Sequence, residues 1–203
     1  MSALCDKEGE NIWLGLDLGT QSVRAVAVSQ TGHVLGQGSY PLSSRRDGPR
    51  HEQDPEEWWR GVGYASRAAI ADLPASSIRG VAVDGTSGTI LLVDRSDQPL
   101  TPGLMYDDTR AIDESCRANA VGAAVWSVLG YRMQPSWALP KLLWLLREHR
   151  SLRGSFTRSI SSIGGWPDTK CRRTPVTRSR QVTIWFAKPG RTKSLMNSQC
   201  QRN

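Results

Sequence analysis

The chain has 203 residues, enough for one ordinary domain and a short remainder. Its 38% hydrophobic and 22% charged residues are a soluble globular composition, which excludes a collagen, a coiled coil and a membrane protein. The net charge of +7 suggests an anionic partner only until it is divided by region: residues 1–150 carry 15 basic and 18 acidic side chains, and residues 151–203 carry 11 basic and one acidic.

In chain order, residues 1–11 read as a flexible N-terminus. It is acidic (Asp6, Glu8, Glu10) and has no apolar leader core, so no signal peptide is expected. Ile12 to Gly19 is an apolar run ending in an acid and a glycine, and reads as a buried strand. Val23 to Ser29 is a second strand, followed by turn residues Gln30-Thr31-Gly32, and Val34 to Leu42 is a third. Short connections make these an antiparallel meander opening a mixed sheet. Asp54-Pro55-Glu56-Glu57 then starts a helix, with Asp54 as N-cap, Pro55 in the first turn and Glu57 placed to complete a capping box. The spacing Trp58, Val62, Ala65, Ala69 gives that helix one apolar stripe. Ile78 to Asp84 is another strand ending in an acid, and Ile90 to Asp94 is read as its hairpin partner. Residues 111–129 are Ala-rich and read as helical, and Pro140 starts a second strong helix, Lys141 to His149. The fold class is α/β.

Three segments suggest chemistry. Asp17-Leu18-Gly19-Thr20-Gln21-Ser22 brings an acid to a strand end beside a glycine turn rich in N–H and hydroxyl groups. An acid beside a phosphate nest makes sense when a divalent cation joins them; the alternative is a plain β-turn capped by Asp17. Asp84-Gly85-Thr86-Ser87-Gly88-Thr89 suits a polyol, or is only a hairpin turn. Tyr106-Asp107-Asp108-Thr109-Arg110 either holds sugar hydroxyls or is a solvated loop. Neither a G-x-x-x-x-G-K-[ST] nor a G-x-G-x-x-G motif occurs, which argues against P-loop and dinucleotide sites. Cys5, Cys116, Cys171 and Cys200 form no C-x-x-C pair and lie far from His33, His51 and His149, so neither a zinc site nor a disulfide framework is expected. The apolar run Leu142–Leu146 is too short to cross a bilayer, and the default location is a reducing cytoplasm.

Taken together, GLDLGTQSVRAVAV, HEQDPEEWW, VAVDGTSGTILLVD, MYDDTRA and LPKLLWLLREH, in this order over residues 12 to about 150, resemble the FGGY carbohydrate kinases in their pentulose (xylulose- and ribulose-kinase-like) branch. The VDGTSGT form looks closer to ribulose-kinase-like members. The resemblance implies a ribonuclease-H-like, actin/hexokinase-type ATPase fold with two such domains around a cleft. It also implies ATP and Mg²⁺ as cofactors, a sugar substrate such as D-ribulose or D-xylulose, and a homodimer in the full-length family. Carried over by position, Asp17 lies near Mg²⁺ and the phosphates, and Gly19, Thr20 and Gln21 line the phosphate turn. Gln21 stands where the family often has Ser or Thr. Asp84, Thr86, Ser87, Asp108 and Arg110 fall where relatives contact sugar, with Tyr106 in place of a Trp. Trp58, Trp59, Pro140, Lys141 and Trp144 match the pattern as packing residues. The family's base aspartate lies beyond the matching stretch, so the chain reads as a truncated, inactive kinase; the alternative is a non-catalytic sugar-binding fragment.

Residues 151–203 read as an irregular basic tail. One account is a disordered nucleic-acid-binding arm. The preferred account is a translated wrong frame: Thr157–Gly164, TRSISSIG, can be back-translated so that a one-base shift reads HQVDFINR, close to a family segment, and Cys171–Phe186 behaves likewise. With the charge excess confined to that stretch, nucleic acid is not expected as a partner, and neither is a membrane.

Overall fold

A computed structural model of the chain describes residues 11–94, 98–150 and 156–161. The first sheet is built on strands β1 (Ile12–Leu18), β2 (Ser22–Ser29) and β3 (Val34–Pro41), an antiparallel meander as the sequence predicts. Along β1 and β2 alternate residues are buried: Ile12, Leu14, Leu16 and Leu18 on one, Val23, Ala25 and Ala27 on the other. That period of two places one apolar face against helix α1 (Pro55–Ala69).

Helix α1 begins as expected at its first residues. Asp54 accepts a hydrogen bond from the Glu56 amide at 2.9 Å, and Pro55 follows in the first turn. The capping box does not close. Glu57 turns away and accepts from the backbone N–H and hydroxyl of Ser43, at 3.0 and 3.2 Å. Val62, Ala65 and Ala69 are the buried stripe. The helix lies so close to β3 that a Cβ on Gly36 or Gly38 would sit about 2.2 or 2.1 Å from the carbonyl oxygens of Ala69 and Ala65, so only glycine permits this approach.

Strand β6 (Ile78–Gly85) departs from the expected hairpin. It adds to the first sheet in parallel with β1, giving the order β3-β2-β1-β6. Strand β7 (Ile90–Asp94) belongs instead to a second sheet, made with β4 (Arg45–Asp47), β5 (Arg50–Gln53), β8 (Gly103–Leu104) and β9 (Phe156–Ser161), in the order β4-β5-β8-β7-β9. The cause is twofold. The far edge of β1 is open to a parallel mate, and the crossover that such a mate requires is supplied by β4, β5 and α1. Ile90, Leu91, Leu92 and Val93 are then all buried, which needs cover on both faces.

The Ala-rich stretch is two helices, α2 (Ile112–Val121) and α3 (Ala123–Leu129), divided at Gly122. The Trp126 indole donates to the Ala118 carbonyl at 2.8 Å across the break. Helix α4 spans Ala138–Glu148, starting two residues ahead of Pro140, which occupies the first turn where an N–H has no helical partner in any case. Strand β9 is regular structure inside the stretch read as an irregular tail. The rest of that stretch, including Trp166, Trp185 and Phe186, lies outside the described residues.

Candidate functional site

Asp17 and Asp84 close two adjacent parallel strands and stand opposite one another in the register. Parallel neighbours lie about 4.8 Å apart and in-register side chains share a face, so the two carboxylates occupy one rim. Both line an open depression of about 690 Å³ on the face of the first sheet, together with Arg24, Gln37 and Ser39. Arg24 Nη2 meets Asp17 Oδ2 at 2.6 Å. Both side chains of this pair are exposed, 63% and 41%, and such pairs contribute about 0–1 kcal/mol, so a cation can displace it at little cost. The Asp17 carboxylate suits a Mg²⁺ ion that keeps phosphate and water as its other ligands. Among the described residues no group of three or more His, Cys, Asp or Glu forms a closed metal cage.

The Gly19–Ser22 turn closes through the Gly19 amide, which donates to Ser22 O at 3.0 Å. Gly19 is not in the left-handed region, so the turn does not call on its conformational freedom. Its value is space, since a Cβ there would press on Ser22 O at 3.2 Å. Thr20 is held by Gln53, whose Nε2 donates to Thr20 O at 2.6 Å and to Ser44 Oγ at 2.8 Å. Trp58 Nε1 in turn donates to Gln53 Oε1 at 2.7 Å. Gln21 is exposed, and its backbone carbonyl accepts from the Leu42 amide.

The turn after β6 is anchored on the same strand end, with the Thr86 amide donating to Leu18 O at 3.3 Å. Ser87 is exposed. Gly88 takes φ +82°, which lets the chain leave the first sheet for the second.

Asp108 and Arg110, carried over by position as sugar contacts, face inward in this structure and do not form a solvated loop. Asp108 is fully buried. Its Oδ2 accepts from the His51 amide at 2.8 Å and from Arg110 Nη2 at 2.6 Å, and its Oδ1 accepts from the Arg110 amide and Nε. Arg110 also meets Glu52 at 2.7 Å and lies 4.8 Å above the Trp144 ring. Burial pushes the Arg110 guanidinium down, but Asp108 and Glu52 outweigh it and raise the net value. With its oxygens occupied, Asp108 sets the shape of the 105–110 loop, and Tyr106 and Thr109 are the exposed residues there.

Asp107 bonds His51 Nδ1 through one oxygen and Arg46 Nη2 at 2.9 Å through the other. Burial pushes its carboxyl up, and the bonds from His51 and Arg46 overcome this and hold it below the ordinary value of 3.8. A depressed carboxylate stabilises the fold above its unfolded pKa, and the gain is lost as pH falls through the folded value. Acid unfolding followed by circular dichroism should therefore show a stability loss beginning near pH 4, and Asp107→Asn should flatten that limb.

His51, Glu52, Gln53 and Lys141 are the residues of this region that motif reading passed over. HEQDP was visible, but only as a helix opening, and Lys141 looked like packing.

The FGGY family of carbohydrate kinases, N-terminal domain, matches residues 12–162. The match, like β9, runs past the boundary read at residue 150. The chain is 30% identical over 142 residues to the xylulose kinase of Klebsiella pneumoniae, covering 70% of this chain and 29% of that enzyme. It is 28% identical over 151 residues to the gluconokinase of Bacillus subtilis, covering 72% of this chain and 29% of that enzyme. The solved structure of a xyloylose kinase from Brucella ovis superposes with a TM-score of 0.68 at 28% identity, over 74% of this chain and 32% of that one. The chain thus spans under a third of the length of these relatives. Its α/β unit with a mixed sheet has the actin/hexokinase-like fold of these structures, and the chain belongs to the FGGY family of carbohydrate kinases.

Proposed function

We propose that this chain supplies the sugar-binding part of an ATP- and Mg²⁺-dependent kinase acting on a ketopentose such as D-ribulose or D-xylulose. The observation that carries the reading is the in-register pair Asp17 and Asp84 on one rim, in a chain of a sugar-kinase family. Mg-ATP, when bound, supplies the transferable phosphoryl group. Asp17 would stand on its metal side, beside the Gly19-Thr20-Gln21 turn, while Asp84, Thr86 and Ser87 offer a carboxylate and two hydroxyls to a polyol. Asp108 and Arg110 serve that pocket from behind by fixing the loop that carries Tyr106.

Phosphoryl transfer rests on positioning and charge neutralisation, with an acid to take the sugar proton. Asp17 is committed to the metal side, so the 203-residue chain alone is expected to bind sugar without turning it over. No helix among the described residues is long and apolar enough to cross a membrane.

Calorimetric titration with D-ribulose and D-xylulose, with and without Mg-ATP, tests the reading, alongside an assay for ADP release. Thr86→Ala should weaken sugar binding three- to tenfold, about the loss of one hydroxyl hydrogen bond. Absence of binding for both sugars would overturn the substrate class, and turnover at an ordinary kinase rate would place a base within this chain.

A further inference from the structure

Lys141 has no exposed surface at all, an unusual place for an ammonium. It sits on α4, and its Nζ donates to two backbone carbonyls, Gly88 O and, at 2.8 Å, Met105 O. Gly88 belongs to the turn that carries Thr86 and Ser87. Met105 opens the loop that carries Tyr106, Asp107, Asp108 and Arg110. The two segments touch: a Cβ on Gly88 would lie 3.9 Å from Cα and Cβ of Tyr106.

Burial pushes the Lys141 amine down to about 8, against the upward pull of Asp108 and Asp107 and with Arg110 adding to the fall. An apolar side chain of the same length would fill the space without that cost, so packing does not account for a charged tip here. An ammonium does one thing an apolar tip cannot. It has three donors with no fixed plane, and so it can hold carbonyls from separate segments at one point.

We propose that Lys141 is a positioning residue of the sugar site, whose ammonium clasps the 86–89 turn to the 105–110 loop and thereby sets the places from which Thr86, Ser87 and Tyr106 meet a polyol. The polyol part rests on the function proposed above; the clasp does not. Lys141 is enclosed beneath both segments and does not itself touch the sugar.

The test is hydrogen exchange by mass spectrometry on the 203-residue chain and its Lys141→Met variant, at matched distance below each melting temperature. Exchange in residues 85–89 and 105–110 should rise at least tenfold in the variant, with β1, β2, β3 and α1 unchanged. Affinity for D-xylulose or D-ribulose should fall at least tenfold in parallel. Lys141→Gln, which keeps an N–H donor, should recover part of both, and it replaces Lys141→Met should that variant not fold. Unchanged exchange in the two segments, or a rise spread evenly over the whole domain, overturns the clasp. Loosened segments with unchanged sugar affinity overturn the positioning role. Loosened segments in a chain whose wild type binds neither sugar uphold the clasp and overturn the substrate reading instead.

Discussion

Asp108→Ala is expected to destabilise the chain by about 3–5 kcal/mol, the largest effect of any single substitution considered for this fold. The carboxylate is wholly buried, and its removal strands two groups at once. Arg110, with a side chain only 5% exposed, would keep Glu52 alone as counter-charge, and the His51 amide would lose its acceptor. A buried cation left with one counter-charge in place of two costs more than a lost surface pair, and a buried orphan amide adds to it. Urea unfolding followed by far-ultraviolet circular dichroism measures this directly. A stability within about 1 kcal/mol of the parent would mean that Arg110 finds water or another acid, and that the loop is not built on Asp108.

Asp17→Asn should behave in the opposite way. Its ion pair with Arg24 is exposed on both sides, so the fold should lose no more than about 1 kcal/mol. The charge matters for chemistry instead. In a full-length kinase that carries this domain, turnover should fall about 100-fold or more, a magnitude typical of removing one electrostatic contact to the reacting group. Sugar affinity should stay within about threefold, because the Thr86 and Ser87 hydroxyls are untouched. A substitution that acts in the transition state lowers kcat and kcat/KM together. A rise in sugar KM with unchanged kcat would move Asp17 from the metal side to the polyol. The wrong-frame account of the tail has its own test in the coding DNA across codons 145–205, where stops or unrelated residues in the shifted frame end it.

Much of this architecture is legible in the residues themselves. The apolar runs of β1, β2 and β3, with Gln30-Thr31-Gly32 between two of them, specify a meander because short turns allow nothing else. Asp54-Pro55 marks the start of α1 by its own chemistry. Pairing partners are a different matter. Periodicity tells that Ile78–Asp84 and Ile90–Asp94 are strands, but not that a parallel edge on β1 awaits the first and a second sheet the second. Depth was hidden in the same way. Asp108 and Arg110 stand out in the chain as chemically rich, and nothing local reveals that they consume each other's hydrogen bonds. Lys141, in the run Leu139–Leu146, reads as a packing residue, and only the approach of Gly88 and Met105 from elsewhere in the chain gives its ammonium two carbonyls to hold.

The parallel pairing of β1 with β6 also orders events in time. Leu18 meets Val23 across a tight turn, whereas it meets Gly85 only after β2 to β5 and α1 have been laid down. Contacts so distant along the chain must meet the entropy of closing a large loop before they return any energy, and they set the pace of folding. The hairpin that carries Asp17 can form early on a nascent chain, while its companion Asp84 arrives in the slow, non-local step. The acidic rim is thus a late product of folding: a molecule halted before β6 docks would hold a native-like meander and half a site.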